Sequence, residues 1–259
     1  MTAIWDMRTI RVIVALMLRE MSTTYGRSPG GYIWAILEPA AGITLLTLAF
    51  SAISRTPAIG TSFPLFYASG LVPFLMYTST QNKVSKAVTF SRQLLIYPRV
   101  TYLDAVLARF LLNALIQIVV ATVVFAGIFL LYDLPLMLNY TEVATALVLA
   151  LMIGLGVGSL NCLLFSLYPV WSQVWGIVNR PAFLASGIFF TFDQIPEKYA
   201  QYLWYNPLIH VVGKMRQGVY PEYIGDYVSV EYAMCFAIFP MTVGIFFLRR
   251  YHKKILNEL

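Results

Sequence analysis

Charge is scarce in this chain: Asp, Glu, Lys and Arg make up 12% of its 259 residues, against roughly a quarter in an ordinary soluble domain. Apolar residues make up 59%, and the mean hydropathy is +0.72. One soluble core of this size could not hide that much apolar surface, whereas lipid can accept it. Histidine is scarce as well. His210 and His252 are the only two, far apart in sequence. No HExxH, metal-ligand cluster or GxSxG accompanies them, which argues against metalloenzyme and hydrolase chemistry. A Walker A stretch is missing, because Gly213-Lys214 lacks the earlier glycine and the following Ser or Thr. No cofactor is therefore expected on this chain, and any ATP-Mg would be bound by a separate partner. The two cysteines, Cys162 and Cys235, both sit in apolar runs and read as small core residues. Arg19-Glu20 stands where a leader peptide would need a small-residue cleavage site, so the start reads as a mature segment.

What is present is a series of long apolar runs. Six are of spanning length: 31–54, 64–80, 107–132, 143–167, 171–192 and 232–248. A hydrocarbon core about 30 Å thick takes about 20 such residues. The first run is interrupted by Glu38-Pro39, the second holds Pro73, and the fifth is broken by Asn179-Arg180-Pro181. The expected fold is all-α and integral to the membrane, with about six transmembrane helices.

The formal charge of +6 comes from 18 basic and 12 acidic residues. In a membrane protein this excess points to loops on the anionic cytoplasmic leaflet and not to nucleic acid. Three groups of four basic residues share one side: Arg8, Arg11, Arg19 and Arg27; Lys83, Lys86, Arg92 and Arg99; Arg249, Arg250, Lys253 and Lys254. The other side holds Arg55, Lys198, Lys214 and Arg216 beside acids that include Asp193, Glu222 and Asp226. The asymmetry predicts cytoplasmic termini.

Three stretches do not span. Residues 4–21 read as an amphipathic interfacial helix within an N-terminal segment 1–30, with Trp5 as its anchor. The rest, 31–259, forms the membrane domain. Within it, 83–104 is a basic cytoplasmic loop containing a short amphipathic segment that ends at Pro98. Residues 193–229, broken by Pro196, Pro207 and Pro221, read as periplasmic, re-entrant short helices. Among isolated residues, Gly154 and Gly158 form a GxxxG whose face Asn161 continues, which predicts close helix packing. Asn113 and Gln117 share a face and predict an interhelical hydrogen bond, and His210 reads as a satisfied structural histidine. Glu38 and Asp104 are intramembrane or interfacial carboxylates with no evident catalytic partner.

Residues 19–39 read REMSTTYGRSPGGYIWAILEP, 100–113 read VTYLDAVLARFLLN, and 203–223 read LWYNPLIHVVGKMRQGVYPEY. Arg19-Glu20, Tyr25-Gly26-Arg27, Gly31-Tyr32-Ile33-Trp34 and Glu38-Pro39 resemble the N-terminal signature of polysaccharide-exporting ABC permeases, the capsule (KpsM) and O-antigen (Wzm) type. The Asn-Pro-Leu-x-His-Val-Val core resembles the capsule branch. The resemblance covers nearly the whole chain and departs at Arg27-Ser28-Pro29, where the group rarely has proline.

It implies a type-2 ABC exporter fold in the bacterial inner membrane. It also implies two copies of the permease with two cytoplasmic ATPase subunits, exporting a lipid-linked anionic polysaccharide. A periplasmic co-polymerase and an outer-membrane exporter complete the assembly. In that setting 83–104 becomes the candidate coupling segment for the ATPase, through Lys83, Lys86, Phe90, Arg92, Leu94, Leu95 and Tyr97, as against an ordinary basic loop. Candidates for the substrate path are Arg27, Tyr32, Trp34 and Glu38 near the entrance, Arg180 in the fifth span, and Trp204 and Tyr205 near the exit. Sugar faces stack on aromatic rings, and an arginine fork suits carboxylate or phosphate. Arg180 carries a second reading, in which it only snorkels to the interface. The same fold with another substrate (O-antigen, teichoic acid, a drug) is the rival reading. An ion-gradient transporter is a more distant one, disfavoured by the lack of an inverted repeat or paired intramembrane carboxylates.

Overall fold

In lipid each backbone N–H and C=O has to find its partner inside its own segment, so long apolar runs become helices. The computed structural model describes residues 7–25, 31, 33–95, 100–135 and 137–258, which contain helices and no strand. Ten α-helices follow one another: α1 Met7–Glu20, α2 Ile33–Ser51, α3 Phe63–Ser85, α4 Ala87–Leu95, α5 Tyr102–Leu131, α6 Tyr140–Leu167, α7 Trp171–Leu184, α8 Glu197–Leu203, α9 Pro207–Val219 and α10 Val230–Glu258. Among the described residues, four stretches are long and apolar enough to cross a membrane: α2, α5, α6 and Val230–Tyr251 of α10. The protein is an all-α integral membrane protein.

The other two expected spans differ from that quartet. Helix α3 has 23 residues, which at a rise of about 1.5 Å each is enough to cross. Its last turns carry Thr78, Ser79, Thr80, Gln81, Asn82 and Lys83, and the bundle sheathes it, burying most residues from Pro64 to Ser85 and leaving Asn82 exposed. Helix α7 stops at Leu184 after 14 residues, too short for a full span. Pro181 lies in its last turn, and the chain then bends through Gly187, whose φ is +81°. The region expected to continue as helix to residue 192 is a turn instead.

Helix α6 is the centre. Gly154 and Gly158 bring it against α3, where a Cβ would meet the side chains of Thr80 and Val84 and the carbonyls of Tyr77 and Gln81. Gly156, on another face, lies against the Ala237 carbonyl of α10. Two neighbours thus approach backbone to backbone, which small residues permit and which dispersion rewards in lipid. Asn161, buried one turn further on, accepts at its Oδ1 from Trp171 Nε1 at 3.0 Å. Between α3 and α5 the expected polar bond is present for Asn113, which accepts from Ser79 Oγ and donates to Thr80 Oγ1, each at 2.9 Å, while Gln117 lines a cavity. Cys162 is buried, but Cys235 is exposed on the outer face of α10, against the reading of both as core. An apolar run is apolar all round, so sequence alone does not say which face the neighbours cover.

The bundle has two distinct ends. At one, α4, the start of α5 and the last part of α10 come together, with Val84, Val88, Leu95, Val106, Cys162 and Leu248 forming a core of their own, and α1 joins α5 and α4 through Glu20 and Arg19. At the other lie the 185–195 turn, α8 and α9. Helix α9 is more than interfacial: eleven of its 13 residues are buried in the bundle. Asn206 starts it, accepting from Leu208 N–H at 3.1 Å and donating to the Ala185 carbonyl at 2.9 Å.

Candidate functional site

The polar last turns of α3 are the natural place for a site, because they put hydrogen-bonding side chains beside helices that offer few. Two cavities open on either side of them. One, of about 330 Å³, lies between α2, α3 and α5, lined by Glu38, Ser79, Asn82, Lys83, Lys86, Arg109 and Gln117 among others. The second, of about 460 Å³, lies between α3, α6 and α7, lined by Asn82, Lys86, Trp175, Asn179 and Arg180. Asn82 and Lys86 line both, so the two spaces flank one strip of α3. Glu38, Lys83 and Lys86 are brought together in the first, and Lys86 and Arg180 in the second. Arg180 is exposed, as is most of α7. It lines the second cavity from an exposed position.

Other candidates lie elsewhere. Trp34 is 59% exposed on α2 and lines neither cavity. Trp204 and Tyr205 are at the opposite end. Trp204 is held inside an aromatic cluster, its Nε1 donating to the Tyr227 carbonyl at 3.0 Å and its ring 5.0 Å from His210 and 4.8 Å from Tyr232. Tyr205 is exposed. His210 is satisfied on both nitrogens: Nδ1 accepts from Ser229 N–H at 3.1 Å, which leaves Nε2 to donate to the Trp204 carbonyl at 2.8 Å. Asp104 completes a capping box with Thr101 at the start of α5, a local structural duty. Arg27, Tyr32 and Tyr97 lie outside the described residues.

The short amphipathic segment expected within 83–104 is helix α4, and residues 96–99 lie outside the described residues. Lys83 belongs to the last turn of α3, Lys86 caps that helix, α4 follows, and Tyr102 opens α5. Helix α4 buries Ala87, Val88, Ser91 and Leu95, spaced to form one face. Its outer side presents Lys86, Phe90, Arg92 and Gln93, while Leu94 is half-buried. Leu95 therefore seals α4 to the bundle, and Lys83 lines the α3 cavity.

Three charged residues outside that candidate set occupy the best-built positions. Arg109 and Glu20 pair at 2.9 Å, both nearly inaccessible. Arg216 is 1% exposed; it donates to the carbonyls of Phe190 at 2.8 Å and Ile188 at 3.3 Å and lies 4.5 Å from the Phe66 ring. A lone cation within an apolar segment was the signal available for Arg109. Nothing in sequence could name Glu20, 89 residues away, as its partner.

Residues 11–220 match the ABC-2 type transporter family. The polysialic acid transport protein KpsM of Escherichia coli is 31% identical over 246 residues, covering 95% of each chain. The capsule polysaccharide export inner-membrane proteins CtrC of Neisseria meningitidis serogroup A and BexB of Haemophilus influenzae are 24% and 23% identical, each over 95% of this chain and 92% of theirs. A helical membrane bundle matched along most of its length by one family, and by such relatives almost end to end, belongs to the ABC-2 type transporter family.

Proposed function

We propose that this chain is the membrane subunit of an ATP-driven exporter of lipid-linked, anionic capsular polysaccharide, and that it lies in the bacterial inner membrane with cytoplasmic termini. The observation that carries the reading is its end-to-end likeness to relatives named for export of polysialic acid and capsule polysaccharide. The cations beside the α3 strip, Lys83, Lys86 and Arg180, suit an anionic cargo. Energy comes from a separate cytoplasmic ABC ATPase that binds ATP-Mg, for which the outer face of α4 with Phe90 and Arg92 is the contact. Two copies work together. Helix α7 has no buried residue and α2 buries only Pro39 and Ile43, which leaves apolar faces for a second copy to cover. A periplasmic co-polymerase and an outer-membrane exporter receive the polymer.

Deleting the gene should abolish surface polysaccharide and leave polymer inside the cell, with recovery on complementation. The purified chain alone should not hydrolyse ATP, whereas the complex with its ATPase should. Intact surface polysaccharide in the deletion strain would refute the reading.

A further inference from the structure

Arg109 sits near the start of α5 and engages three other elements at once. Its Nε and Nη2 both donate to Glu20 Oε1, at 3.0 and 2.9 Å, which ties it to the last residue of α1. Its Nη1 donates to the Lys86 carbonyl at 2.9 Å, at the joint between α3 and α4. Its guanidinium carbon lies 4.4 Å from the Phe90 ring of α4. The same ring is approached from α1 by Arg19 at 5.8 Å. Phe90 thus stands between a cation of α5 and a cation of α1.

Helix α1 has few other moorings. Among its described side chains only Ile13 and Glu20 are buried. Arg109 is 7% exposed and Glu20 4%, so their attraction is little screened by water. Separating them would strand a buried charge on each side. Displacement of α4 is therefore resisted until α1 and the start of α5 follow. Arg109 also lines the cavity that holds Glu38, Lys83 and Lys86.

We infer that Arg109 is a positioning residue, the joint that makes α1, α4 and the start of α5 move as one body, carrying an ATPase-driven shift of α4 to the interfacial helix and the α3 cavity. This rests on the proposed ATP-driven function, while the joint itself has a readout independent of transport.

The decisive comparison is the wild type with Glu20→Gln/Arg109→Gln and with Arg109→Lys, each in complex with the ATPase. The glutamine pair leaves no charge buried alone, so the bundle keeps its fold. Lysine keeps the charge opposite Glu20 but cannot make the forked contacts with α4. Nitroxide labels on Ala15→Cys and Gln93→Cys, both exposed sites, report the α1–α4 distance; Cys235→Ala removes the exposed native thiol. The wild type should hold one narrow distance with and without ATP. Both variants should show a broadened or ATP-dependent distance. Export per inserted protein should fall about tenfold, within the usual range of coupling between sites, while ATP hydrolysis persists. Unchanged distances with full export would overturn the joint. Export and hydrolysis falling only in step with protein amount would also overturn it, by making the pair a folding contact. A wild-type complex that neither hydrolyses ATP nor exports would instead defeat the proposed function.

Discussion

Arg216 donates to two carbonyls of the turn that follows α7, Ile188 and Phe190, while its plane rests on Phe66. Those carbonyls belong to a stretch with no helix of its own, so the guanidinium supplies hydrogen bonds that a continued α7 would have supplied. Arg216→Ala should lower the melting temperature in detergent, at about 1–3 kcal/mol for each carbonyl left without a donor. Arg216→Lys should recover little, since one ammonium does not reproduce the fork. Arg180 contrasts with it: exposed beside a cavity, it has no such duty in the described fold. Arg180→Ala should leave membrane amount and melting unchanged and cut surface polysaccharide, with Arg180→Lys restoring only part. Full export from the alanine variant would reduce Arg180 to a snorkelling residue. Arg180 stands out in the sequence as an isolated cation, whereas Arg216 follows Lys214 and reads as an ordinary basic residue of the far side. Only the placement of the 185–195 turn separates a staple from a cavity wall.

At the scale of elements, α4 was legible as an amphipathic segment, because Ala87, Val88, Ser91 and Leu95 recur at helical spacing. Its limits were not, since the chain turns a corner between α3 and α4 without a strong breaker. Arg92 stands on the outer face, away from the bundle. Arg92→Glu should therefore fold normally and either release the ATPase or let it turn over ATP without export. Normal surface polysaccharide in that variant would leave α4 an ordinary basic element. Helix α7 shows the opposite failure of pattern reading. Its run continues apolar to residue 192, yet proline removes a donor and clashes with the preceding turn, and the chain reverses at Gly187. Hydropathy measures compatibility with lipid; it does not measure whether the backbone continues as helix.

For the whole molecule, the described members of the three basic groups lie on elements near one end: Arg8, Arg11 and Arg19 on α1, Lys83, Lys86 and Arg92 at the α3–α4 corner and on α4, and Arg249, Arg250, Lys253 and Lys254 on the last part of α10, while Arg27 and Arg99 lie outside the described residues. Tyr223 follows α9 at the other end. Reporters fused after Tyr223 should score periplasmic and those after Leu259 cytoplasmic; the reverse pattern would invert the proposed orientation.

Sequence by itself determined the membrane class, the helical fold, the approximate spans and the close-packed glycines of α6. Those follow from what lipid demands of each segment separately: an apolar surface, internally paired backbone and small residues where helices touch. It could not determine that α3 is sheathed, that α7 stops short, that α9 is buried or that Cys235 faces outward. Nor could it join Glu20 to Arg109. Each depends on which faces meet across long separations in the chain, and a uniformly apolar helix carries no periodic signal to choose among its faces. Only tertiary packing, which shuts water out around a few polar groups and makes each of them find a partner, decided those pairings.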